Sequence, residues 1–223
     1  ADENLYLLDG NPVYHVNHLL GFFSAFNPDA IKNTRFYKGS FPAEYGGRLS
    51  SVVDVRMNDG NRQEYHGNIS VGLLSARANL EGPIVKDRSS FNVSVRRTWL
   101  DLITGTALAI VNKNSDTKES FGYHFFDINA KVNHSFSERS RAYLSFYMGQ
   151  DAFRQGSKEK HEDSDDMFLW RWGNLIGSAG WNYVFGQKLF GNLMVGYSRF
   201  RSHIRQEAKG YEIEGNRAER QSI

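Results

Sequence analysis

Seven stretches of the chain alternate apolar with polar residues for about ten positions each, and charged or glycine-rich segments separate them. Arg141 to Asp151 is the clearest: Ala142, Leu144, Phe146 and Met148 fall on one side, Tyr143, Ser145, Tyr147 and Gly149 on the other. Side chains of a strand point to alternate faces, so this pattern builds sheet with one apolar and one polar face. The strands it predicts are Tyr65 to Leu73, Leu74 to Gly82, Phe91 to Leu100, Gly122 to Phe136, Arg139 to Phe153, Phe168 to Phe185 and Leu189 to Ile204. In the fourth, Phe126, Ile128, Ala130 and Val132 oppose Asp127, Asn129, Lys131 and Asn133.

The connections differ in length. Ile84 to Ser90, Ser137 to Ser140 and Gly186 to Lys188 are tight, whereas Asp101 to Phe121 and Arg154 to Met167 are long and read as polar loops. Tight turns at one end and long loops at the other suit a bacterial transmembrane barrel, with apolar faces toward lipid and polar faces toward the lumen. Trp170 and Trp172 open the sixth strand, and Trp181, Tyr183 and Phe185 close it, where interfacial aromatic belts would lie. A soluble β-sandwich is the alternative, but its strands would be nearer 5 to 6 residues.

The first sixty residues have a different texture. Leu5 to Leu8 reads as a short strand ending at the turn Asp9-Gly10, and Asn17 to Phe26 as a short helix capped by Asn17 and stopped by Pro28. Thr34 to Lys38 and Leu49 to Met57 are further strands, joined through a bend at Tyr45, Gly46 and Gly47. The 223 residues are 40% hydrophobic and contain no apolar run of transmembrane-helix length. A net charge of +2, with basic residues scattered, argues against a nucleic-acid partner. The absence of cysteine excludes disulfides and thiolate metal sites. Ala1 to Glu3 show no signal peptide, so the natural N-terminus is expected upstream.

Three segments carry a resemblance. Tyr6-Leu7-Leu8-Asp9-Gly10-Asn11-Pro12-Val13-Tyr14, Phe26-Asn27-Pro28-Asp29-Ala30-Ile31-Lys32, and Tyr37 through Gly46-Gly47-Arg48 to Val55 resemble the second half of a plug domain. The plug is that of TonB-dependent outer-membrane transporters, in a variant common among Bacteroidetes-type members. Glu81-Gly82-Pro83-Ile84, followed by Lys86-Asp87-Arg88-Ser89-Ser90-Phe91, is similar to that family's first periplasmic turn. The resemblance implies a mainly β fold: residues 1–60 as the C-terminal half of a plug, and 61–223 as the first seven or so strands of a barrel of about 22. It also implies localisation in the Gram-negative outer membrane, in contact with its lipid. The implied activity is import of a scarce small or oligomeric solute (siderophore, vitamin, glycan or peptide), powered by the TonB–ExbB–ExbD system. A surface lipoprotein would be a further partner. Seven strands do not close a barrel, so the chain is expected to be part of a longer polypeptide. The competing class is a non-transporting adhesin or structural barrel, and a barrel enzyme is a weaker third.

On this reading Glu44, Tyr45, Gly46, Gly47 and Arg48 form a bend able to latch the plug to the wall. The inward candidates as partners are Arg77, Glu81, Arg96, Asp127, Lys131 and Arg141. The bland alternative is a set of solvated lumen charges, each pair contributing little. His15 and His18 without a nearby carboxylate or cysteine are a poor metal set. Glu159, Glu162, Asp163, Asp165 and Asp166 lack the glycine spacing of a calcium loop. Phe22, Phe23 and Phe26 read as core. Neither a nucleophile–base constellation nor a phosphate-binding loop occurs, so neither an enzyme nor a cofactor is expected.

Overall fold

The computed structural model describes residues 4–39, 42, 45, 50–159, 165–208, 211–214 and 218–222. The chain is mainly β. Its first part makes short strands: β1 (Asn4–Leu8), β2 (Asn11–Pro12), β3 (Asn17–His18), β4 (Phe23–Ser24), β5 (Ile31–Lys38) and β6 (Ser51–Met57). Four of them form a small sheet in the order β2-β1-β6-β5, with β1 and β6 parallel and the other pairs antiparallel. The turn from β1 to β2 needs left-handed backbone at both central residues, and Asp9 (φ 46°) and Gly10 (φ 84°) supply it.

The second part is a meander. β7 (His66–Val71), β8 (Ser75–Val85), β9 (Ser89–Thr98), β10 (Thr117–Ser137), β11 (Ser140–Glu159), β12 (Asp165–Val184) and β13 (Phe190–Ala208) pair in sequence order, each antiparallel to the last. Two short pieces, β14 (Tyr211–Glu214) and β15 (Ala218–Ser222), both pair with the far side of β13. β10 to β12 are 20 or 21 residues long. At about 3.3 Å per residue they span roughly 65 Å, far more than a sandwich strand.

Side-chain burial on this large sheet runs opposite to a water-soluble one. In β9, Ser90, Asn92, Ser94, Arg96 and Thr98 are buried, while Val93 and Val95 between them are exposed. The same holds for Asp127, Asn129, Lys131 and Asn133 of β10 against exposed Val132, and for Ser145 of β11 between Leu144 and Phe146. The buried face packs on the small sheet. Contacts run from Arg77 of β8 to Ser198 of β13, so the large sheet curves around the small one. Leu8, Val13, Ala25, Val55 and Met57 of the first part share one core with Tyr147 of β11 and Ile176 of β12.

Four sequence expectations change. Residues 17–26 form a hairpin tip, with Asn17 paired to Ser24 and His18 to Phe23, rather than a helix. Leu19 and Gly21 take positive φ there (48° and 111°), which an α-helix does not allow. Residues 101–121 are not a loop throughout, since α1 (Leu100–Val111) fills the first half; it is apolar along most of its length, though none of it is buried. In the long connection from 154 to 167, residues 154–159 and 165–167 are strand, because β11 and β12 continue into it. Trp170 and Trp172 point inward, packed with Tyr123 and Phe125, so they are not part of an outer belt. Trp181 and Phe185 at the other end do remain exposed. Among the described residues, no helix is long and apolar enough to cross a membrane.

Candidate functional site

Burying five consecutive inward polar residues of β9 would be costly unless each found a partner. The small sheet and its loops supply several of them. Ser90 Oγ donates to the Asp59 carbonyl at 2.7 Å, and Asn27 Nδ2 donates to Ser94 Oγ at 2.6 Å. Arg96 Nη2 donates to the Ser24 carbonyl at 2.7 Å. On β12 and β13, Asn11 Nδ2 donates to Ser178 Oγ at 2.5 Å, and Ser198 Oγ to the Pro12 carbonyl at 2.5 Å. The Asn174 amide clamps the His15 backbone, donating to its carbonyl at 2.7 Å and accepting from its N–H at 3.3 Å. Each such bond contributes about 1 kcal/mol net, but removing one partner leaves a buried polar group unsatisfied and costs more.

Charge concentrates in two places along this interface. The first centres on Asp59, just after β6. Its carboxylate meets Lys32 Nζ at 2.7 Å, Arg141 Nη2 at 2.8 Å, Lys131 Nζ at 3.1 Å and Asn133 Nδ2 at 3.2 Å. Partial burial alone would raise the pKa of Asp59, but Lys32, Lys131 and Arg141 together hold it well below the usual carboxylate range. Lys131 also reaches Asp9 at 3.2 Å and the Met57 carbonyl at 3.1 Å. Asp9 in turn accepts from the Met57 N–H at 3.0 Å, so the β1–β2 turn, the end of β6 and β10 are joined through one ammonium.

The second cluster holds the hairpin tip, nearer the end of the strands where α1 lies. His18 Nδ1 donates to Asp151 Oδ2 at 2.7 Å, and Nε2 sits 3.6 Å from Asp127 Oδ2. Arg96 meets the same Asp127 oxygen at 2.6 Å. Tyr123 Oη donates to the other Asp151 oxygen and accepts from the Leu19 N–H at 2.5 Å. The His18 ring stacks on Phe125 with centroids 4.1 Å apart, and the Arg96 guanidinium lies 5.1 Å from that ring. Two carboxylates, a guanidinium, an imidazole and a phenol are thus sealed together, fastening β3 and the turn after it to β9, β10 and β11. A buried set of this kind stabilises little as a whole, yet loss of any one member leaves an uncompensated charge.

All six inward residues expected as wall partners face the small sheet or its loops. Arg96, Asp127, Lys131 and Arg141 belong to the two clusters. Arg77 Nε pairs with Asp29 at 3.1 Å, and Glu81 accepts from Asn58 Nδ2 at 2.9 Å. Their described partners are Asp9, His18, Ser24, Asp29, Asn58 and Asp59. Of the bend, Glu44, Gly46, Gly47 and Arg48 lie outside the described residues, and Tyr45 Oη reaches Asp54 at 3.4 Å. His15 sits against Trp172 and Phe200, and burial lowers its pKa below the ordinary histidine value. Among the described residues no three His, Cys, Asp or Glu side chains gather in a metal-like set. Residues 160–164 of the acidic segment lie outside the described residues. Phe23 packs on Phe125 and Phe26 on Tyr6, but Phe22 is 85% exposed at the hairpin tip.

Sequence reasoning missed Asp59, His18 as an interface residue, and Asp151. The last had a usable signal, because it follows Ser145, Tyr147 and Gly149 on the polar side of β11.

No protein-family profile matches the chain, and no curated protein matches it in sequence. Solved structures similar to it include the siderophore receptor PirA from Acinetobacter baumannii, with 14% identity and a TM-score of 0.44 over 92% of this chain and 41% of that one. The ferric enterobactin receptor PfeA (G324V mutant) from Pseudomonas aeruginosa gives 15%, 0.42, 92% and 38% in the same order. PirA from Pseudomonas aeruginosa gives 16%, 0.40, 92% and 42%. The chain spans about two-fifths of the length of these receptors.

Proposed function

We propose that the chain is a section of a plugged outer-membrane barrel that imports a scarce solute at the expense of TonB–ExbB–ExbD. Residues 1–60 are the C-terminal half of the plug, of the Bacteroidetes-type variant its motifs resemble, and 61–223 are the first wall strands. The observation that carries the reading is β9, whose buried residues are all polar and whose valines face outward. Water would reject such a surface, whereas the hydrocarbon of a bilayer accepts it, and the long antiparallel strands satisfy their own backbone groups.

The filled inner face supports import over a passive pore or an adhesin. A folded sheet seated against the wall leaves no free path for a large solute, so passage requires that sheet to shift. The Asp59 and His18 clusters set part of the work of that shift, and the bend from Glu44 to Arg48 is a third fastening in this proposal. An outer membrane has no nucleotide supply, so the work arrives from the inner membrane.

The sequence has no cysteine, which makes a tether clean. Asn27→Cys combined with Ser94→Cys in the full-length protein places two thiols across the plug–wall boundary. Oxidation should stop uptake while external ligand binding persists, and reduction should restore uptake. Uptake that continues through the tether, or in cells lacking TonB, would refute the transporter reading.

A further inference from the structure

α1 is fastened to the outer face of the large sheet, on the side away from the small sheet. Asp101 meets Arg97 Nη2 at 2.9 Å and His124 Nδ1 at 3.5 Å, and both partners occupy outward positions, next to buried Arg96 and Phe125. At the other end Asn112 donates from Nδ2 to the Glu119 carbonyl at 2.6 Å and accepts from the Glu119 N–H at 3.0 Å. Gly105, Leu108 and Ala109 line a groove with His124, Ala152 and Leu169, which identifies the helix side turned to the wall. At 3.6 residues per turn, Ile103, Thr106, Ala107 and Ile110 then fall on the side turned away from it.

That free side is apolar. Leu102, Ile103, Ile110 and Val111 are 60%, 45%, 72% and 68% exposed, and no charged residue lies between Asp101 and Lys113. The hydroxyls find partners within the protein. Thr106 Oγ1 donates to the Leu102 carbonyl at 2.8 Å, and Thr104 Oγ1 lies 2.8 and 2.9 Å from the carbonyls of Leu100 and Phe121. A helix lying on a protein in water turns its polar side outward. α1 is inverted, as the strands beneath it are. It also starts where their apolar face ends. Arg97 opposes Phe126 in register, and Phe126, Ile128, Ala130 and Val132 are successive outward positions of β10 running toward the tight turn.

We infer that α1 lies in the surrounding leaflet as an interfacial helix, with its free side in hydrocarbon at the headgroup boundary. The inference rests on the barrel reading, under which this face of the sheet meets lipid. Lipid is the occupant because the free side continues the outward apolar face of β10 and offers a protein partner no charge to pair with. A helix of this kind sits about 5 to 10 Å into the boundary between headgroups and acyl chains. Leu100, at its start, packs instead with Tyr123, Phe125 and Trp172 on the inner side. The connection from β9 to β10 is thus held from both sides of the wall.

The test uses the full-length protein in phosphatidylcholine vesicles, with an environment-sensitive fluorophore on Ile103→Cys or Ile110→Cys. Lipid spin-labelled along its acyl chain should lower the emission at both positions about twofold or more, while aqueous iodide leaves it unchanged. The same probe on Val111→Cys should be quenched by that lipid, and the added changes I103Q/I110Q should abolish the quenching. Iodide quenching at 103 and 110 would place the helix in water, and protection from both quenchers would place it under protein; either overturns the inference. Lipid quenching that survives I103Q/I110Q also overturns it, since the end contacts alone would then set the position of the helix. A probe on Leu144→Cys, on the outward face of β11, tests the barrel separately. Absence of lipid quenching there shows that the barrel reading itself fails, and this inference falls with it.

Discussion

His18 and Asp151, 133 residues apart in the chain, meet at 2.7 Å with both side chains almost sealed from solvent. The contact ties the hairpin tip to β11, and the same carboxylate accepts from Tyr123 of β10. Asp151→Asn keeps the shape but removes the charge that both donors use. The expected loss is about 2 kcal/mol of local stability, or about thirtyfold in the opening equilibrium. Hydrogen exchange of the full-length protein should speed up at residues 17–24 and stay unchanged at His66–Val71. Equal exchange in the two proteins would show that the hairpin is held by its backbone and ring contacts alone.

Asp59 predicts an acid limit. Its pKa is lower in the folded protein than in the unfolded chain, because Lys32, Lys131 and Arg141 outweigh its burial. In the window between the two values the unfolded chain binds the extra proton, so stability rises with pH. The contribution is complete above the ordinary carboxylate pKa of about 4 and disappears as pH falls through the lower folded value. Asp59→Asn should therefore lower stability at neutral pH and flatten its decline between about pH 5 and pH 2. Thermal unfolding of wild type and variant across that range, in detergent, checks both halves. Parallel curves would remove Asp59 from the acid response.

The inverted faces predict a two-residue rhythm in membrane access. Leu144 and Phe146 are 64% and 40% exposed, against 8% for Ser145 and 2% for Tyr147. Spin labels placed one at a time at these four positions in bilayers should be relaxed by dissolved oxygen at 144 and 146. At 145 and 147 neither oxygen nor a water-soluble nickel complex should reach them, since the small sheet covers that side. Nickel access at 144 and 146 would mean that the face meets water.

Alternation alone located all seven long-sheet strands and, where they pack on the small sheet, their buried faces, because a strand with two unlike faces must write both into a two-residue period. Its failures are specific. The segment 17–26 has the apolar content of a helix, yet its structure is decided by Tyr123, Phe125 and Asp151, more than a hundred residues away. Leu100–Val111 breaks the alternation with a run that is apolar on all sides, and reading it as a gap between strands hid α1. The ends of β10 to β12 ran past expectation because, beyond the apolar band, both faces are polar and the period carries no contrast. Asp59 looked like part of a turn, Asn58-Asp59-Gly60, and nothing local to it shows the three cations that converge there.

The shared core has a bearing on how the protein is made. The core of Leu8, Val55 and Met57 is completed by Tyr147 and Ile176, which lie roughly 90 to 170 residues later in the chain. Residues synthesised first must therefore wait for those synthesised afterward, and their contacts carry the long loop-closure delay of distant pairings. The small sheet acquires its final structure as the curved sheet forms around it. For these residues the order of synthesis and the order of final packing run in opposite directions.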